Sequence, residues 1–223
     1  GTDFNAEAVC ANFERWYNFT GIQQSEAVAY YYGKLFRGFK DKPKDAVYKS
    51  CEATDEKTAK VNLAQPFAGF VAALSLPAFS MQSPEAMEKY KADKIGGSAE
   101  APEMSEYARE HPTGTGPFKF EEWNPGQEIK LKFNDDYWGE KGQINQITFR
   151  VIDDPVARKQ SLEAGEIDGY DLVAPGDVKP LADAGFNVMN RDPFTILYLG
   201  FNHEVKELKD VKVRKAISYA IDK

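Results

Sequence analysis

Carboxylates are the chain's most numerous candidates for chemistry. Asp135 and Asp136, Asp153 and Asp154, and Asp168 and Asp171 lie in pairs. A facing acid and base of this kind is what hydrolysis of a glycosidic bond requires. Each pair also has a plainer reading. Asp154 stands before Pro155 and a helical pattern, where it caps; Asp135 and Asp136 follow a strand pattern in a turn; Asp168 and Asp171 flank Gly169 at a strand end. Adjacent carboxylates on a strand point to opposite faces, which is poor geometry for acting on one bond. No catalytic residue is expected, and a hydrolase with an acidic cleft stays the alternative from another functional class.

The remaining reactive residue types are sparse. His111 and His203 are the only histidines. They are far apart and lack an HxxxH or HxH partner, so neither a metal centre nor an imidazole base is expected. No serine sits in a GxSxG elbow. Cys10 and Cys51 lack CxxC spacing, which leaves two readings open: a pair of buried free thiols, or one structural disulfide in an oxidising compartment. Gly114 and Gly116 bracket Thr115, but they lead into Pro117 and a strand pattern, whereas a phosphate loop leads into a helix. No cofactor is expected.

Aromatic residues are a better lead to a ligand. Trp16, Tyr30 to Tyr32, Phe79, Tyr137, Trp138 and Tyr198 are candidates for the lining of a cleft that takes an apolar or peptide ligand. For Trp16 and Trp138 the expectation is a place in the core. Three consecutive tyrosines on a helix span most of its circumference, so at least one of Tyr30, Tyr31 and Tyr32 must reach solvent or a ligand.

The elements that would hold these side chains follow from period and caps. Asn5 precedes a helix with Ala6, Val9, Phe13, Trp16 and Tyr17 on one side. Ser25 opens a second helix, SEAVAYYYGKLF. A hairpin is predicted over KPKDAVYKSCEATDEKTAKVNL around Asp55-Glu56-Lys57. PFAGFVAALSL reads as a short buried helix, and SPEAMEKYKAD as a helix with Ser83 as cap and Pro84 at its first position. Residues 92 to 113 read as mostly irregular. A second hairpin follows, Phe118 and Phe120 pairing with Ile129, Leu131 and Phe133 around a type II turn at Asn124-Pro125-Gly126-Gln127. Beyond it come a strand INQITFRVI, a helix capped by Asp154 and ended at Gly165, a strand EIDGYDLV, a short helix DVKPLADAG and a strand TILYLGFN. Strands alternating with helices point to α/β architecture.

The 223 residues, 42% hydrophobic and 28% charged, suffice for one large domain or two small ones. A formal charge of -7 without a basic block lacks the electrostatic footprint of a nucleic-acid partner. The final helix, capped by Asp210, carries an apolar stripe of Val213, Ala216, Ile217 and Ala220 that asks for a partner. With a helix also opening almost at once at the other end, the chain reads as an internal piece of a longer protein.

Several segments together resemble the family 5 extracellular solute-binding proteins, the oligopeptide, dipeptide and nickel receptors of ABC importers. They are GTDFNAEAVCANFERW, GTGPFKF, NDDYWGEKGQINQITFRVIDD, ARKQSLEAGEIDGYD, and YLGFN followed by DVKVRKAISYAID, in the family's order and at about its spacing. The resemblance implies a periplasmic-binding-protein-like (type II) fold of two α/β lobes, here with most of the second lobe missing. Residues 1–105 would be an extra subdomain of the first lobe, 106–193 its α/β core, and 194–223 the hinge strand and first helix of the second lobe. It implies a bacterial receptor, periplasmic or extracellular and anchored as a lipoprotein, that closes on a small peptide or similar solute and passes it to a membrane permease. A sensor that presents its ligand without transport is a related reading. It favours the disulfide reading for Cys10 and Cys51. Carried over by position, Tyr198 matches a cleft tyrosine on the hinge strand, Tyr30, Tyr31 and Phe79 correspond to other cleft positions, and Asn202 lies beside them on the hinge segment. Gly200 stands where some members carry an acidic side chain, which points away from a basic or oligopeptide ligand.

Overall fold

A computed structural model describes residues 3–192 and 197–221. The chain forms two compact units, Gly1–Asp153 and Asp154–Lys223.

In the first unit, Asn5 caps helix α1 (Ala6–Tyr17), its Oδ1 accepting from the Ala8 N–H at 2.8 Å. The predicted apolar side of α1 is its buried side: Phe13 and Trp16 are in the core, with Val9 and Tyr17 packed against it. Helix α2 (Glu26–Leu35) follows a 3-10 turn at Gly21–Gln24. Ser25 stands at its N-cap, although its hydroxyl makes no capping bond. The predicted hairpin forms from β1 (Tyr48–Asp55) and β2 (Thr58–Leu63), antiparallel, with Cys51 opposite Val61. Cys10 and Cys51 are joined as a disulfide with Cα atoms 5.2 Å apart, which pins α1 to the hairpin. Aromatic rings from four segments fill the space between: Phe13 stacks on Tyr48 at 5.7 Å, and Phe36 meets Phe79 edge-on at 5.2 Å.

The next stretch departs from expectation. Instead of one buried helix, it contains α3 (Phe70–Ala73), four residues long. Ala73 is buried but Val71 is exposed, because so short a turn can set only one side against the core. A 3-10 turn at Pro77–Phe79 and helix α4 (Pro84–Lys89) follow, α4 capped by the Ser83 hydroxyl, which accepts from the Ala86 N–H at 3.3 Å. The segment expected to be irregular holds a two-residue ladder, β3 (Gly96–Gly97) with β4 (Pro102–Glu103), and helix α5 (Glu106–Glu110).

The unit ends in an antiparallel sheet of β5 (Phe118–Asn124), β6 (Glu128–Phe133) and β7 (Gln146–Arg150), in that order. Gly126 has φ +74° and the Gln127 N–H donates to the Asn124 carbonyl at 3.0 Å, as the type II turn requires. The hairpin therefore forms as read from sequence, and the predicted strand INQITFRVI joins it as β7. Trp138 does not take its expected place in the core: it lies in the loop between β6 and β7, 80% exposed and tilted against Tyr137 at 5.3 Å. No element in the described residues covers that loop, so the indole has no core to join.

The second unit contains α6 (Pro155–Glu163), α7 (Pro175–Asp183), α8 (Lys206–Lys209) and α9 (Val211–Tyr219). Asp154 caps α6, its Oδ1 accepting from the Ala157 N–H at 2.7 Å, and Gly165 follows the helix at φ +73°. Asp210 caps α9. Two predicted strands do not form among the described residues. EIDGYDLV is irregular, and so are residues 197–202 of TILYLGFN, whose Thr195 and Ile196 lie outside the described residues. A strand is defined by the ladder it shares, and among the described residues neither segment shares one. The apolar stripe of α9 is not buried among the described residues either: Val213 is exposed and no residue of the helix is in the core.

Candidate functional site

Helix periodicity decides the fate of the tyrosine run. The helix kinks at Ala29 (φ -120°, ψ 33°), immediately before it. Tyr32 turns inward, its ring stacked on Phe36 at 5.1 Å and tilted on Phe39 at 5.3 Å. Tyr30 and Tyr31 remain half-exposed, 49% and 47%, and meet edge to face at 5.3 Å. Two tyrosines thus reach the surface, where the spacing demanded at least one.

These two exposed rings border a hollow of about 380 Å³. Phe79 contributes to its wall from the 3-10 turn that Pro77 opens, and is also core, edge-on to Trp16 at 5.4 Å. Ile95 and Met104 from the connection beyond α4, and Tyr107 from α5, also line it. Tyr107 is held in place by Thr113: its hydroxyl accepts from the Thr113 N–H at 3.0 Å and donates to the Thr113 carbonyl at 3.2 Å. Burial raises its pKa above the usual tyrosine value. Among the described residues, the one charged side chain on the lining is Arg15. Its Nε donates to Asp93 Oδ1 at 2.7 Å and its guanidinium lies over the Phe19 ring at 5.1 Å, so that charge is already balanced.

Of the residues proposed from sequence, the structure brings Tyr30, Tyr31 and Phe79 to this hollow. Tyr198 and Asn202 belong to the other compact unit. Tyr198 is 82% exposed there, and Asn202 Oδ1 accepts from the Glu204 N–H at 2.9 Å in a local turn. Sequence reasoning missed Ile95 and Met104, which sit in a segment without periodicity. The available signal for Met104 was a long apolar side chain set between the polar Glu103 and Ser105.

One member of each acidic pair has a local role. Asp154 is a cap. Asp136 forms an ion pair with Lys119 at 2.9 Å, which lowers its pKa. Asp171 accepts from the Leu172 N–H at 2.8 Å. Among the described residues, no group of three His, Cys, Asp or Glu side chains could hold a metal ion.

Comparison with known proteins gives this arrangement its context. A family model described as bacterial extracellular solute-binding proteins, family 5 Middle, matches residues 1–223. The glutathione-binding protein GsiB of Escherichia coli O157:H7 is 32% identical over 227 aligned positions, covering 100% of this chain and 38% of that protein. Among solved structures, NikA from Brucella suis in complex with Fe(III)-EDTA superposes with TM-score 0.71 at 30% identity, over 100% of this chain and 40% of that one. The ABC transporter-associated periplasmic binding protein DppA from Helicobacter pylori, in complex with the peptide STSA, gives TM-score 0.67 at 26% identity, over 99% and 41%. The chain spans 31% to 38% of the length of the curated relatives it matches. Its fold is accordingly part of the type II periplasmic-binding-protein fold. With a match that runs from the first residue to the last, the chain belongs to the bacterial extracellular solute-binding proteins of family 5.

Proposed function

We propose that the whole protein is an extracytoplasmic receptor that captures a small peptide or similar solute and delivers it to the membrane permease of an ABC importer. The observation that carries this reading is the family match over residues 1–223. A relative named for glutathione and a similar structure in complex with a peptide support the ligand class. The mechanism is hinge closure: a ligand held between two lobes favours the closed form because only that form makes both sets of contacts. In this reading residues 1–105 are the extra subdomain, 106–193 the core of the first lobe, and 194–223 the beginning of the second. Tyr30, Tyr31, Phe79, Tyr198 and Asn202 contribute ligand contacts, no covalent chemistry takes place, and the protein is tethered outside the membrane as a lipoprotein.

Native mass spectrometry of the intact protein purified from its host tests the reading. A retained non-covalent mass in the range of a short peptide is the expected result. An empty protein that also fails to bind a peptide library in calorimetry would overturn it.

A further inference from the structure

We infer that the hollow beside Tyr30 and Tyr31 is a pocket for one uncharged, apolar side chain of the solute. The inference rests on the receptor reading and adds to it the chemistry of one subsite.

Size sets the first limit. About 380 Å³ is near the lower end for ligand pockets, room for one large side chain with its adjoining backbone and too little for a longer peptide. The walls set the second. Tyr30 and Tyr31 present ring surface at right angles to each other, and Phe79, Ile95 and Met104 add apolar surface. Aromatic groups pack well against such edge and face combinations. Charge sets the third. No carboxylate lines the hollow, so a cationic side chain would be desolvated without a counter-ion. Arg15 is occupied by Asp93 and Phe19, so an anionic side chain would have to compete for a cation already paired. The Gln82 side-chain amide, which also lines the hollow, makes no hydrogen bond among the described residues. It offers a neutral donor and acceptor for the backbone that follows the side chain in. Access comes from the half-exposure of both tyrosines.

The test uses the intact protein labelled at its methionine methyl groups, with the Met104 signal assigned by Met104→Leu. The probes are N-acetyl-phenylalanine amide and N-acetyl-glutamate amide. The phenylalanine probe is expected to shift the Met104 methyl saturably and the glutamate probe is not. Ala27→Trp, at an exposed position of α2 on the lining, should abolish the shift without disturbing the core. Tyr31→Ala, also on the surface, should weaken it about tenfold, the effect of losing one buried aromatic contact. A Met104 methyl that does not respond, responds equally to both probes, or ignores Ala27→Trp overturns the pocket. Calorimetry with tripeptides carrying phenylalanine, alanine or glutamate at the centre separates the two readings. Binding without preference, with Met104 silent, removes the pocket and leaves the receptor; no binding of any tripeptide removes the receptor reading, while the methyl shift still decides the pocket.

Discussion

The side-chain amide of Asn12 and the backbone of Gln82 exchange two hydrogen bonds across 70 residues of sequence. Nδ2 donates to the Gln82 carbonyl at 2.8 Å, and Oδ1 accepts from the Gln82 N–H at 3.1 Å. The second Nδ2 proton goes to the Ala8 carbonyl at 2.9 Å, so a fully buried side chain is satisfied on all sides. The pairing copies one step of a β ladder and ties α1 to the segment that leads into α4.

Replacing Asn12 with Leu keeps the volume but leaves the part-buried N–H and C=O of Gln82 without their Asn12 partners. The expected cost is about 2–4 kcal/mol. It is read from the urea midpoint of the purified chain, and a midpoint equal to that of the parent would refute the assignment.

Reduction of the disulfide should be costly as well. Cys10 and Cys51 are 41 residues apart, and releasing a loop of that length returns about 4 kcal/mol of chain entropy to the unfolded state. Denaturation with and without dithiothreitol, alongside the Cys10→Ala/Cys51→Ala double variant, measures it. Reductant should have no effect on the double variant.

Alkaline pH should destabilise the first unit through two buried phenols. Burial raises the pKa of both Tyr32 and Tyr48 above the ordinary tyrosine value; Tyr17 and Glu14 add to it for Tyr32, and the hydrogen bond to Glu14 for Tyr48. The folded form then keeps protons that the unfolded form loses, so the stability is fully present below about pH 10 and falls as pH rises further. Tyr48 donates to Glu14 Oε1 at 2.6 Å, and Tyr48→Phe should cost stability at neutral pH. The Tyr32 hydroxyl has no partner among the described residues, so Tyr32→Phe should be neutral or stabilising at pH 7 and flatten the alkaline slope. Urea titrations from neutral pH to about pH 11 would expose an error if the Tyr32→Phe slope matched that of the parent.

Gly126 offers a check on the hairpin. At φ +74° an L side chain is strained even though nothing stands within 4 Å of the added Cβ. Gly126→Ala should therefore destabilise by about 1 kcal/mol through backbone conformation alone. Gly142, which has the same free space and no positive φ, is the control: Gly142→Ala should not lower the thermal midpoint.

What sequence disclosed and what it concealed divide along a physical line. Caps, turns and two-residue periodicity are local, and they located Asn5, Asp154, Asp210, the turn at Gly126 and both hairpins. The outward pair Tyr30 and Tyr31 followed from helix geometry, although which of the three tyrosines would turn inward did not. Non-local facts stayed hidden. The Asn12–Gln82 pairing joins positions with no pattern between them, and Met104 reaches the hollow from a segment without period. The expectations for Trp138, EIDGYDLV and TILYLGFN failed because apolar composition states a need for a partner without supplying one. Tyr198 and Asn202 were proposed by resemblance, and their local surroundings add only a turn at Asn202.

The disulfide also has a consequence for how damage to this protein would look. Residues 41–45 form an exposed stretch between the two cysteines. A protease that nicks there opens the backbone yet releases nothing, because Cys10 and Cys51 still join the two pieces. On a non-reducing gel the nicked protein would run as one species, and only reductant would separate the pieces and reveal the cut.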